Sequence, residues 1–147
     1  MENEKIIYTI GHSTLTNEEF IKLLKGNKIQ TLVDVRTVPY SKWTPQFNRQ
    51  NLSFDLRLQG IKYEWRGNNL GGKGINVNFE GSIDELAERC QNEIIVLMCS
   101  EADYKKCHRY QLISPNLEKL GVKVKHITSK GNLIVDKQII RQVMSLF

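Results

Sequence analysis

The chain lacks several features that would narrow its reading. Three of its 147 residues are cysteine, too few and too odd in number for the disulfide framework by which small exported domains replace a core. No Cys-x2-Cys pair occurs, so the spacing of a zinc knuckle is absent. No apolar run approaches the roughly 20 residues that span a bilayer. The opening Met1-Glu2-Asn3-Glu4-Lys5 is charged where an export signal is apolar. Repeats, low-complexity tracts and linkers are also missing. These absences lead to the expectation of one domain working in the cytoplasm with no membrane partner. A chain of this length buries roughly 70% of its unfolded surface, enough for an independent core.

Hydrophobic content of 40% and charged content of 25% are ordinary for a globular chain. Twenty-one Lys and Arg against sixteen Asp and Glu leave a net charge of +5, with an isoelectric point near 9.1. That balance suits an anionic partner, a phosphate-bearing small molecule or a nucleic acid. A merely soluble basic surface would read the same way.

The hydrophobic pattern alternates between strand and helix periods. A β-rich run over 6–10 stops at Gly11-His12-Ser13. Thr16-Asn17-Glu18-Glu19 is a capping box, each side chain satisfying a free backbone N–H. Phe20, Leu23 and Leu24 stripe the helix it opens, and Gly26 stops it. A second strand over 29–35 ends in Asp34-Val35-Arg36, completing a βαβ unit whose strands should run parallel. Residues 37–51 break the pattern with Pro39, Pro45, Tyr40, Trp43, Phe47, Lys42 and Arg49; so long a loop is more often functional than idle. A helix over 49–59, a strand over 61–65 and a glycine-rich stretch over 66–74 follow. The last is expected to be mobile and to bring backbone N–H groups close to a ligand.

A helix over 83–90 leads into the apolar run Ile94-Ile95-Val96-Leu97-Met98, which ends at Cys99-Ser100-Glu101. Residues 107–120 read as mostly helical, with Leu112, Leu117 and Leu120 toward the core and a break at Pro115. A strand over 122–127, a turn at 129–132 and a pairing segment Leu133-Ile134-Val135 follow. Asp136 then caps a last helix carrying Ile139, Ile140, Val143 and Met144. The fold expected is a three-layer α/β/α single domain around a mostly parallel sheet.

In open α/β sheets ligands bind beyond the carboxyl ends of the strands. Gly11-His12-Ser13, Asp34-Val35-Arg36 and Cys99-Ser100-Glu101 each fall at such an end. Cys107-His108-Arg109 falls at a helix start, whose dipole favours an anion or a thiolate. The pattern Thr9-Ile10-Gly11-His12-Ser13, Asp34-Val35-Arg36 with Pro39 and Ser41, Gly60-Ile61-x-Tyr63, Leu70-Gly71-Gly72, Cys99-x-Glu101, Cys107-His108-Arg109 and His126-Ile127 resembles the family called domain of unknown function 488. The resemblance runs over residues 6–131. It implies an α/β/α layered fold and a site built from these motifs, and it supplies no settled activity. Ser100 stands where the family often carries a small apolar residue.

Each site residue has a functional reading and a plainer one. Cys107, flanked by Lys105, Lys106, His108 and Arg109, has the electropositive setting of a nucleophilic or redox thiol; otherwise it is a small buried residue beside a cap. Cys99 is either reactive or packed, and Cys90, on a helix without polar neighbours, is structural. His12 is the best general acid–base candidate, or else a helix-entry histidine bonded to backbone. Glu101 is a proton-transfer group or an ion-pair partner of Arg109 or Arg36. Asp34 and Arg36 share a strand face, giving either an internal ion pair or an anion-binding Arg36 oriented by Asp34. Arg109 suits bidentate contact to phosphate or carboxylate. His108, adjacent to Cys107 on a helix, would point away from it, and His126 reads as core or as a supporting residue.

Two templates are set aside. Cys99 to Lys105 is similar in spacing to the Cys-x5-Arg loop of phosphatases and rhodaneses, but Glu101 and Asp103 would repel an anion. Zinc on Cys99, Cys107, His108 and Asp34 lacks a standard spacing, so no metal is expected. The leading reading is an enzyme acting on a phosphate-bearing or nucleic-acid-related substrate. It uses Cys107 or Cys99 as nucleophile, His12 and Glu101 for proton transfer, Arg36 and Arg109 as anion clamp, and Ser13, Asp34, Ser41, Gly71, Gly72 and His108 as binding residues. The alternatives are a nucleic-acid-binding module using Tyr40, Trp43 and Phe47, and a thiol redox sensor if Cys99 and Cys107 meet. The motifs specify no cofactor and no oligomeric state.

Overall fold

The computed structural model describes residues 4–135; the helix expected from Asp136 lies outside the described residues. Six strands, β1 (Ile6–Gly11), β2 (Thr31–Asp34), β3 (Lys62–Trp65), β4 (Ile95–Cys99), β5 (Lys123–Ile127) and β6 (Leu133–Val135), form one sheet. Among the described residues five helices accompany them: α1 (Asn17–Gly26), α2 (Arg49–Leu58), α3 (Gly67–Leu70), α4 (Phe79–Arg89) and α5 (Ser114–Glu118). The order across the sheet is β3-β2-β4-β1-β5-β6, parallel throughout except for β6, which pairs antiparallel with β5 as expected. The chain is therefore an α/β protein. Among the described residues no helix is long and apolar enough to cross a membrane.

β4 is buried at all five positions, which is why its sequence shows an unbroken apolar run. Alternate residues of β1, β2, β4 and β5 feed two separate apolar clusters. Val33, Leu97 and Cys99 join Ile83 and Leu86 of α4 and Leu117 of α5. Leu32, Val96 and Met98 join Phe20 and Leu24 of α1 and Leu52 and Leu56 of α2. Such a partition arises when helices cover both faces of a sheet.

β1 and β4 are neighbours whose outgoing connections go opposite ways. The chain leaves β1 through α1 to reach β2 beyond β4, and leaves β4 through α5 to reach β5 beyond β1. Their carboxyl ends therefore flank the switch point of the sheet, the standard crevice for a ligand. Two backbone bonds knit this point together: His12 N–H donates to the Cys99 carbonyl and Ser13 N–H to the Ser100 carbonyl, both at 2.9 Å. Gly11 makes this closeness feasible, since a Cβ there would lie 1.8 Å from the Glu101 carbonyl oxygen.

The Thr16–Glu19 capping box is formed in both directions. Three expectations need correction. The fourth helix starts at Phe79 rather than at residue 83, entered through Asn78 in the left-handed conformation. The glycine-rich stretch is less open than expected: it contains α3, and Gly67 and Gly71 are buried. Residues 107–120 are not a plain α-helix. A 3-10 turn, Tyr104–Lys106, precedes Cys107, and a π-helical turn, Arg109–Ile113, runs into α5. Pro115 explains the wide turn: in α register its ring would clash with the Gln111 carbonyl, and it has no N–H to offer. The Ser114 N–H and hydroxyl both donate to the Arg109 carbonyl instead. The buried stripe becomes Arg109, Ile113 and Leu117, while Leu112 and Leu120, expected in the core, are 38% and 39% exposed.

This register is testable in urea. Ile113→Ala should cost about 2–5 kcal/mol, as fully buried aliphatic truncations do, and Leu112→Ala only about 0.5 kcal/mol. Equal losses would show that the turn is α-helical.

Candidate active site

A cavity of about 810 Å³ opens at the switch point. His12, Ser13, Arg36, Ser41, Gly72, Cys99, Glu101, Cys107 and His108 line it, brought from five segments of the sequence. Asp34, Gly71 and Arg109 do not; all three are buried behind its wall. Gly72 lies against His108, and Gly71 packs so tightly that a Cβ would meet the Gly67 carbonyl at 2.2 Å. Sequence reasoning missed Thr14, Thr37, Thr44, Lys73, Lys106 and Gln111, which also line the cavity. Lys106 adjoins Cys107 and could have been found by that; Lys73 sits among glycines and gave no signal.

The floor is a pair of thiols. Cys99 ends β4, Cys107 follows the 3-10 turn, and their sulfurs lie 2.7 Å apart. His108 does not point away from Cys107 as expected: its Nδ1 is 3.5 Å from the Cys107 sulfur, while Nε2–H donates to the Val35 carbonyl at 3.1 Å. Cys107 has an extended backbone (φ −110°, ψ 148°) rather than a helical one, so the helical divergence between adjacent side chains does not apply. The carbonyl fixes the tautomer, leaving Nδ1 as the face toward sulfur. The Cys99 thiol, donating to Cys107, holds the Cys107 pKa well below the ordinary thiol range; burial opposes this and His108 reinforces it. The same bond, with burial, pushes Cys99 far up. Of the two thiols, Cys107 is thus the one disposed to ionise.

Arg109 lies beneath the thiols with no exposed surface. One Nη2 donates to the carbonyls of Glu101 and Ala102, at 3.0 and 3.2 Å. Its Nε and Nη1 find no hydrogen-bond partner among the described residues. Its charge acts on Cys99, favouring the thiolate. Glu101 is exposed on the rim, and its carboxylate accepts the Asp103 N–H at 3.0 Å. Asp103 in turn accepts the Lys105 N–H. These acidic side chains occupy the amides that a phosphatase-type loop would turn toward an anion.

Across the cavity, Asp34 receives four hydrogen bonds. Arg36 supplies its backbone N–H, Nε at 2.9 Å and Nη2 at 2.7 Å, and the Tyr63 hydroxyl donates at 2.6 Å. Burial and the adjacent carboxylate raise the Tyr63 pKa. Arg36 Nη2 also reaches the Phe47 carbonyl at 2.8 Å, and Nη1 donates to His12 Nε2 at 3.3 Å. His12 Nδ1–H donates to the Ser13 carbonyl at 2.9 Å, and the ring stacks on Phe47. Both ring nitrogens are therefore engaged. Burial, with Arg36 alongside, lowers the His12 pKa to about 4. His126 sits deep in the sheet, hydrogen-bonded to the Thr9 hydroxyl at 2.5 Å and stacked on Tyr104.

The sheet and its switch-point cleft define an open α/β protein whose cavity floor is a thiol pair beside an imidazole. The family model described as Domain of unknown function DUF488 matches residues 16–77 and 73–114, and the chain belongs to that family. No match emerges among curated proteins or among solved structures.

A neutral buried His12 makes stability depend on acid. Unfolded, it takes up a proton below its ordinary pKa of 6.5; folded, only near 4. Stability should fall as pH drops through that window, by up to about 3 kcal/mol. Urea midpoints measured across it should lose this slope in His12→Phe; an unchanged slope would rule out a neutral His12.

Proposed function

We propose that the protein is an enzyme using Cys107 as nucleophile on an anionic, phosphate-bearing or nucleic-acid-related substrate. The observation that carries this reading is the imidazole of His108, locked by the Val35 carbonyl with Nδ1 3.5 Å from the Cys107 sulfur on the floor of the cavity. A thiol next to a positioned base is the working unit of nucleophilic thiol catalysis. His108 takes the thiol proton, the thiolate attacks the electrophilic centre, and the proton is available to the leaving group. Glu101 on the rim is the second proton-transfer group.

His12 is reassigned from proton transfer to positioning, since Arg36 occupies its Nε2. The anion clamp also changes hands. Arg36 is spent on Asp34, and Arg109 lies outside the cavity. Lys73 and Lys106 remain, in a cavity that Ser13, Ser41 and Thr44 also line.

Iodoacetamide should alkylate Cys107 at pH 6 and leave Cys90 and Cys99 intact. His108→Asn should slow that reaction about tenfold, the scale of losing roughly 1.4 kcal/mol of thiolate stabilisation. Inorganic phosphate should protect Cys107, and Lys73→Ala with Lys106→Ala should abolish the protection. Thiols that react only near pH 8.5 would sink the nucleophile, and undiminished alkylation in phosphate would sink the anion site.

A nucleic-acid ligand is favoured by one further feature. Trp43 is 80% exposed with the Lys42 ammonium 5.1 Å from its ring, and Tyr40, also exposed, lines the cavity. Aromatic faces beside cations can stack bases along a backbone. Single-stranded oligonucleotides should then quench Trp43 fluorescence with an affinity that falls steeply with salt; no quenching in Trp43-containing protein at low salt would remove this reading.

A further inference from the structure

We infer that Cys107 and Cys99 form a reversible intramolecular disulfide, giving the protein a thiol–disulfide exchange activity toward small disulfides that is separate from turnover of the proposed substrate. The two sulfurs already lie 2.7 Å apart, so closing to a bond of about 2.05 Å needs a movement of only about 0.7 Å. Both line the cavity, so a small disulfide can reach them. Cys90, the remaining cysteine, sits on α4 with its thiol donating to the Ala87 carbonyl and does not line the cavity.

The residues divide the two steps of exchange between them. Cys107 gives its proton to His108 Nδ1, 3.5 Å away, and its thiolate attacks one sulfur of the small disulfide RSSR. The S–S bond breaks, and the first RS⁻ departs with the proton held on His108. Cys99 then attacks the Cys107 sulfur of the mixed disulfide. The second RS⁻ departs and takes the proton that Cys99 releases. Two protein thiols are oxidised, one small disulfide is reduced, and two RSH result. Cys99 is buried, which hinders its ionisation, but Arg109 lies beside it with a guanidinium whose Nε and Nη1 have no partner among the described residues. That charge favours the thiolate at the moment it must attack. The disulfide also caps the Cys107 sulfur, so oxidation would switch the nucleophile off.

The test uses the full chain and oxidised glutathione, read by intact mass, by iodoacetamide-accessible thiols after unfolding, and by non-reducing peptide mapping. Wild type should lose two hydrogens, retain only Cys90 for alkylation and yield a linked Cys99–Cys107 peptide, all reversed by dithiothreitol. Cys99→Ser should stop at the mixed disulfide, with one glutathione on Cys107. Cys107→Ser should give neither product. Three alkylatable thiols after treatment, a linkage through Cys90, or failure of Cys99→Ser to trap glutathione would overturn the inference. These outcomes are independent of the enzyme reading. Cys107 that alkylates at pH 6 in Cys99→Ser but never forms the disulfide in wild type sinks exchange alone. A linked pair whose Cys107 has an ordinary thiol pKa sinks the nucleophile alone.

Discussion

The site depends on one buried guanidinium. Arg109 is the largest of the fully buried side chains, and its Nη2 grips the carbonyls of Glu101 and Ala102. Glu101 lies two residues past Cys99, and Arg109 two residues past Cys107. The grip therefore ties together the segments that carry the thiols and sets the distance between the sulfurs. It also presses residues 100–102 against β1, where Gly11 lacks the Cβ that would forbid the contact. The arrangement carries a cost, since buried donors without partners are each worth about 1–3 kcal/mol of lost stability. No carboxylate forms a salt bridge with Arg109 among the described residues. A fold that needed only a tether could use a neutral donor. The charge makes sense where a neighbouring sulfur must carry one.

The second constraint is the Asp34–Arg36 pair. Removing either partner from such a buried pair typically costs 3–5 kcal/mol, because the survivor would remain charged and unpaired. Through the Phe47 carbonyl and His12, Arg36 holds the 37–48 segment and the end of β1 in a single network. Arg36, which lines the cavity, thus has its donors already committed to Asp34, the Phe47 carbonyl and His12. In the proposed reading the exposed Lys73 and Lys106 are left to meet a ligand, as point charges rather than as forks.

Much of this was legible from the sequence, for definite reasons. The apolar run of β4, the capping box at Thr16 and the polar clusters at three strand ends depend on local periodicity and on a topological rule, both independent of tertiary detail. The failures were of another kind. Spacing alone could not say whether Asp34 or a ligand would satisfy Arg36, since both readings place the two residues on one face. Arg109 looked like an anion clamp because burial is not written in a charged residue's identity. His108 was assigned the divergence of an α-helix, but Cys107 precedes the helical turn in extended conformation. Pro115 signalled a break, yet only the structure shows that a π turn takes the break up and rotates Ile113, not Leu112, into the core. Lys73 joined the cavity through a loop whose path no pattern encodes.

The thiol pair also bears on how a substrate could sit. Two interacting thiols titrate as a unit, the first proton leaving easily and the second held hard. With the Cys107 pKa held down by the Cys99 thiol, negative charge gathers on the floor at the Cys107 sulfur. An anionic group driven to that floor would be repelled, the more strongly because burial weakens screening. The lysines lie where such a group would be welcome, at the cavity lining contributed by residues 72–73 and 106–108. In the proposed reading, a substrate therefore binds with its phosphate toward Lys73 and Lys106 and its electrophilic centre toward Cys107. Disulfide formation would remove the floor's negative charge together with the nucleophile. The oxidised protein would then hold anions at least as well as the reduced one while being unable to act on them.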